Sequence, residues 1–276
     1  MSLVTLFRRH PLISYFALAY GITWGGILLV DGSARFQGQA VPASQLPLIM
    51  LVMLLGPSTA GLILTASVSG RVGLRELGAR MRHWRVSPRW YAVALLVNPM
   101  VTLAALWSLA ALVTPAYTPV FNLLFGLVAG GLAGFCEEVG WSGFATPRLL
   151  ERCGVLRGGL LLGALWGSWH LLAGFVFSVP GQELLWLAEA VVYWVGALTA
   201  YRILMTWVYS HTRSVLIAQL MHLCFTGAFI TLEPALSQPL ALVYRLAIAL
   251  ALWVLVGLLA LALRRPARPM VEVRPH

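Results

Sequence analysis

The chain contains no lysine; all 19 of its basic residues are arginine. It has only nine acidic residues, and charged positions make up 10% of the 276, against 60% hydrophobic. Soluble domains carry about 25% charged residues, so this chain has too little polar surface to dissolve in water. Cysteine is scarce as well. Cys136, Cys153 and Cys224 form no C-x-x-C pair and no disulfide framework. Cys136 and Cys224 fall in apolar runs, where a thiol acts as a small apolar side chain. There is no internal repeat, no low-complexity tract and no soluble domain.

What is present is long apolar sequence. A helix crossing the hydrocarbon core needs about 20 mainly apolar residues. Eight runs satisfy that rule, at approximately residues 12–30, 48–67, 90–113, 121–144, 158–177, 184–209, 214–232 and 240–263. The expected fold is all-α: one polytopic membrane domain over residues 1–276, a bundle of about eight transmembrane helices. Arg8, Arg9 and His10 precede the first run. That run is longer than the 7–15 residues of a signal-peptide core, which predicts an uncleaved first span.

The net charge of +10 and pI near 10.4 could point to nucleic acid. The arginines instead cluster in alternate connections. Arg71, Arg75, Arg80, Arg82, Arg85 and Arg89 follow the second run; Arg148, Arg152 and Arg157 follow the fourth; His211 and Arg213 follow the sixth; Arg264, Arg265, Arg268 and Arg274 close the chain. The other connections hold Asp31 with Arg35, no charge, Glu183, and Glu233. This alternation predicts both termini in the cytoplasm, with membrane lipid rather than nucleic acid as the partner of the positive charge. Within residues 71–89, Leu74, Leu77, Met81 and Trp84 recur at helical spacing. That fits either a cytoplasmic interfacial amphipathic helix or a solvated basic loop.

Two acids break an apolar run: Gly134-Phe135-Cys136-Glu137-Glu138-Val139-Gly140-Trp141. Two more runs each carry a histidine, His170 and His222. Ionisable groups inside a bilayer are costly and mark function. From the helical rise, Glu137, His170 and His222 lie roughly 10, 18 and 12 Å from the inner boundary, compatible with one layer. Trp141 follows Glu137 by four, Trp166 precedes His170 by four, and Thr226 follows His222 by four; residues at that spacing share a helix face. Glu138 points about 100° away from Glu137, which suggests a different role. A carboxylate can take a proton from water and deliver it to a leaving amine. Two imidazoles can hold a metal or stabilise an oxyanion. The bland reading is a set of buried polar residues that tie helices together.

These residues resemble the CAAX-protease and bacteriocin-processing family of intramembrane proteases. The EExxxR motif is matched by Glu137-Glu138-Val139-Gly140-Trp141-Ser142-Gly143, followed by Pro147-Arg148-Leu149. The aromatic-xxx-His motif is matched by Trp166-Gly167-Ser168-Trp169-His170, and HxxxN by His222-Leu223-Cys224-Phe225-Thr226. Thr206-Trp207-Val208-Tyr209 also looks like the family's run into that last motif. The resemblance implies an eight-helix protease whose site opens toward the cytoplasm and acts on a membrane-tethered peptide or protein. Glu137 would activate water. His170 and His222 would serve as oxyanion donors or, with Glu137, as zinc ligands. If Glu137 binds metal, Glu138 becomes the base; the alternative is a glutamate mechanism with no cofactor. Two positions depart from the pattern. Ser142 replaces an arginine that would neutralise Glu138, leaving Arg148 or Arg202 to reach in instead. Thr226 replaces an asparagine, and loss of one oxyanion donor costs about 10²–10³ in rate.

Three other readings compete. The departures favour a weakened or inactive member acting as a bacteriocin self-immunity factor or membrane scaffold. Gly140-Trp141-Ser142-Gly143 fits a rhomboid-like serine nucleophile, which leaves the glutamate pair unexplained. Intramembrane acid and histidine also build proton relays in transporters, but no repeated halves or paired broken helices occur here.

Overall fold

A computed structural model describes residues 2–31 and 34–264. Among these residues all regular structure is helical. The short α1 (Leu3–Arg9) leads into α2 (Pro11–Asp31), followed by α3 (Leu46–Met81), α4 (Pro88–Leu112) and α5 (Leu123–Gly140). A π-helical turn at Trp141–Ala145 joins α5 to α6 (Thr146–Trp169), which α7 (Leu171–Phe177) extends. Then come α8 (Glu183–Glu189), a second π segment at Ala190–Ala197, α9 (Leu198–Thr212), α10 (Val215–Leu232) and α11 (Gln238–Arg264). The tail arginines Arg265, Arg268 and Arg274 lie outside the described residues.

Seven of these helical stretches are long and apolar enough to cross a membrane. One of them, Leu123–Phe177, holds 55 residues, or roughly 80 Å of helix, far more than one crossing needs. It breaks at Gly154, whose φ of 71° an L side chain rarely adopts. The chain folds back there, so that Gly158 lies against the backbone of Leu149. The fourth and fifth expected spans are the two arms of this hairpin. Seven continuous stretches and eight apolar runs therefore describe the same chain.

Gly70, with φ 61°, breaks α3 in the same way. The arginine-bearing segment beyond it is helical only over residues 71–81. Residues 82–87 are irregular, and Pro88, which opens the next helix, disfavours helical geometry at Ser87. Trp84 therefore falls past the end of the stripe it was expected to join.

The outer surface carries leucine in quantity; Leu29, Leu112 and Leu124 are each at least 77% exposed. Such a surface suits lipid. Helices in lipid associate by close backbone approach at small residues. On α5, a Cβ added at Gly130 or Gly134 would sit 2.5 Å from the carbonyl oxygens of Leu223 and Gln219 on α10. The two helices thus touch backbone to backbone, antiparallel. The second arm of α6 meets α9 similarly, with Gly163 against Thr199. These two contacts bring α5, α6, α9 and α10 around one buried centre, and the polar residues lie there.

Candidate active site

Glu137 and Glu138 lie in the last turn of α5. Both are buried, at 4% and 0% exposure. Their surroundings differ. Glu138 accepts two hydrogen bonds from Arg202 of α9, Nη1 to Oε2 and Nη2 to Oε1, each 2.8 Å. It also accepts from the Ser142 hydroxyl, and its Oε1 lies 2.8 Å from His222 Nδ1. The forked guanidinium holds this carboxylate in its ionised form. Arg202 is itself fully buried and sits 4.1 Å from the centre of the Trp166 ring.

Glu137 has no arginine. Its Oε2 accepts long hydrogen bonds from two indole N–H groups, Trp166 at 3.2 Å and Trp141 at 3.3 Å. The same oxygen is 4.0 Å from His222 Nε2. The π turn after Gly140 helps to produce this division of roles. An extra residue per turn re-aims side chains, and Trp141 and Ser142 each reach back four residues, to Glu137 and Glu138 respectively.

The imidazole tautomers follow from their partners. An ionised carboxylate only accepts, so His222 Nδ1 carries the proton and its Nε2 lone pair faces Glu137. His170 Nδ1 donates to the Trp166 carbonyl at 2.9 Å, which likewise leaves Nε2 as the lone-pair nitrogen. His170 stacks on Trp194 with ring centres 4.9 Å apart and planes 12° from parallel.

The two histidines do not meet. Trp166 stands between them, with its ring centre 5.5 Å from His170 and 5.1 Å from His222, edge-on to both. Its N–H points at Glu137. Among the described residues no three His, Cys, Asp or Glu side chains converge as metal ligands. The donor set Glu137, His170 and His222 therefore does not fit a zinc ion in this arrangement. Matching depth along three helices was a necessary condition for such a site, not a sufficient one.

The remaining expected residues divide. Thr226 lies one turn beyond His222 on α10 and is half-buried. Of the two arginines expected to stand in for the motif arginine, Arg202 does so. Arg148 turns away: it donates to the Phe144 carbonyl at 2.9 Å and covers the Phe144 ring. Sequence reasoning missed the wedge role of Trp166 and the stacking role of Trp194, since an aromatic inside an apolar run carries no distinguishing signal. It also missed an open, apolar groove of about 550 Å³ lined by residues that include Phe16, Tyr20, Trp24 and Ser168. Phe16 stacks on Trp141 at 6.2 Å, so this groove lies one aromatic layer from Glu137.

The fold and site define a multi-pass helical membrane protein that buries an ionised glutamate–arginine–histidine group beside a second glutamate. Residues 118–228, which contain every one of these groups, match the family model described as Rce1-like, type II CAAX prenyl endopeptidase. The match supports membership of the CAAX-protease and bacteriocin-processing family and, at the family level, a CAAX-protease-like intramembrane endopeptidase. Among curated proteins no match was found.

Proposed function

We propose that the protein is a glutamate-dependent intramembrane endopeptidase that needs no metal, with Glu137 as general base. The observation that carries this reading is the unequal treatment of the two carboxylates. Glu138 is neutralised and fully hydrogen-bonded, so it orients; Glu137 has only two weak N–H partners, so it can accept a proton. A water donating one hydrogen to each of two acceptors at 2.8 Å spans about 4.4 Å between them. Glu137 Oε2 and His222 Nε2 are 4.0 Å apart, close to that span. Such a water presents its lone pair outward, toward a scissile carbonyl. Glu137 takes its proton as the C–O bond forms and returns it to the leaving amine as the C–N bond breaks.

The oxyanion needs donors that are not already engaged. The buried Trp169 indole N–H has no partner among the described residues, and the Thr226 hydroxyl lies one turn beyond His222. His170 donates from Nε2 only as imidazolium, because Nδ1 already serves the Trp166 carbonyl. The apolar groove beside Phe16 suits a substrate that is itself membrane-tethered. In this reading the arginine-rich end faces the cytoplasm, as do both termini, and the setting is a bacterial plasma membrane. The alternative, a silent immunity factor or scaffold, draws on Thr226 alone, since Arg202 supplies the charge that Ser142 lacks.

The test is cleavage of a membrane-tethered peptide by the purified protein. Glu137→Gln should lower the rate by about 10²–10⁴ with normal expression and unfolding temperature. A zinc chelator should leave the wild-type rate unchanged. Full activity in Glu137→Gln would reject the base assignment. Inhibition by chelator that zinc reverses would reject the metal-free mechanism.

A further inference from the structure

At the arginine-rich end of the bundle, where α4 begins and α9 ends, lies a pocket of about 240 Å³ lined by Arg89, Trp90, Val93, Trp207 and His211. It is a built site. Trp90 packs edge-to-face on Trp207 with ring centres 5.2 Å apart, and 5.0 Å from the His211 ring. The Arg89 guanidinium lies 5.0 Å from the centre of the Trp90 ring. His211 donates from Nδ1 to the Trp207 carbonyl at 2.9 Å, which fixes the ring and leaves Nε2 clear of that bond. Arg89 forms no ion pair among the described residues.

We infer that this pocket binds the phosphate of an anionic phospholipid headgroup. The Arg89 guanidinium favours an anion, and His211 can donate to one from Nε2 only as imidazolium, because Nδ1 already serves the Trp207 carbonyl. Depth selects the source. Arg89 is the second residue of one apolar span and His211 the next-to-last of another, so the pocket sits where both chains leave the hydrocarbon. Tryptophan prefers that layer, and Val93 continues the wall one turn into the acyl region. Charge selects the headgroup. Arg82, Arg85 and Arg213 are exposed close by in sequence, so a quaternary ammonium is disfavoured and a net negative headgroup preferred. Trp207 and His211 follow Arg202 by five and nine residues, or roughly 7 and 13 Å along the helix, so the pocket is separate from the carboxylates.

Native mass spectrometry of the full chain in mild detergent tests this, with phosphatidylglycerol, phosphatidylcholine and inorganic phosphate as probes. The wild type should hold one phosphatidylglycerol at least fivefold more tightly than phosphatidylcholine. Arg89→Gln should weaken that adduct by about fivefold, the factor one basic group contributes at an anionic surface. Arg75→Gln, an exposed change elsewhere on the same end, should leave it in place. Equal retention of the two lipids, or an equal loss in Arg75→Gln, overturns the inference. Displacement of the lipid by millimolar inorganic phosphate overturns the lipid assignment in favour of a soluble anion.

Discussion

Replacing Arg202 with methionine keeps most of the side-chain volume and removes the charge. Glu138 then loses two 2.8 Å bonds in a place with no exposure to solvent. Removing one partner of a buried ion pair costs about 3–5 kcal/mol, because the other charge is left stranded. The Ser142 hydroxyl and His222 Nδ1 remain and cannot supply a full positive charge while His222 is neutral. Glu138 must bind a proton or pull His222 toward it, and either change spoils the 4.0 Å relation between His222 Nε2 and Glu137. The assay is twofold: the unfolding temperature in detergent and the rate of peptide cleavage. Both should fall in Arg202→Met. Arg202→Met with Glu138→Gln removes both charges and should recover most of the stability, since neutral replacement of a buried pair is often well tolerated, but not the rate. Arg202→Ala with Ser142→Arg should recover part of both, because residue 142 lies one turn from Glu138. Ser142→Arg alone should be harmful, since two guanidiniums would then compete for one carboxylate. If Arg202→Met unfolds and cleaves like wild type, Glu138 is not held as described and the division of roles fails.

Other perturbations follow from the same geometry. Ser142→Ala deletes one of four bonds to Glu138 and should cost about 1.5–3 kcal/mol while leaving most of the cleavage rate; complete loss of cleavage would restore the serine-nucleophile reading. Trp166→Phe removes a donor to Glu137 while keeping the wedge, and should lower the rate about tenfold or more without moving the unfolding temperature far. An unchanged rate would show that the indole N–H does not position Glu137. Gly134→Ala should lower both stability and rate, since its Cβ would fall 2.5 Å from the Gln219 carbonyl. Gly131→Ala meets only Leu223 Cδ1 at 3.8 Å and should be silent; equal behaviour of the two would refute the close packing of α5 on α10.

Much of this was legible in the sequence, for physical reasons. Apolar length reports helix crossings directly, and the eight runs reappear as helices with ends shifted by a few residues. Glu137, Glu138 and His222 stood out because a bilayer tolerates such groups only with a purpose, and all three do meet. Arg202 carried the same signal, a charge in an apolar run that it shares with Glu189, yet nothing in the sequence showed which acid it would face. His170 stands apart from Glu137, Glu138 and His222 for a different reason. Depth fixes position along each helix axis but not rotation about it, and rotation puts the Trp166 ring between His170 and His222. The break at Gly154 and the π turn at Trp141–Ala145 left no mark in hydropathy, because both depend on backbone angles rather than on side-chain polarity.

The loosened ladder at Trp141–Ala145 has an outside attachment. Arg80, in the basic helix beyond Gly70, donates to the Gly143 carbonyl at 2.9 Å and to the Tyr209 hydroxyl at 2.6 Å. One guanidinium thus staples the rim of the molecule to the turn that delivers Ser142 to Glu138, and to the helix that delivers Arg202. Lifting that rim off the bundle would slacken two sides of the buried carboxylate at once, so the polar interior and the charged margin are set by a single clasp.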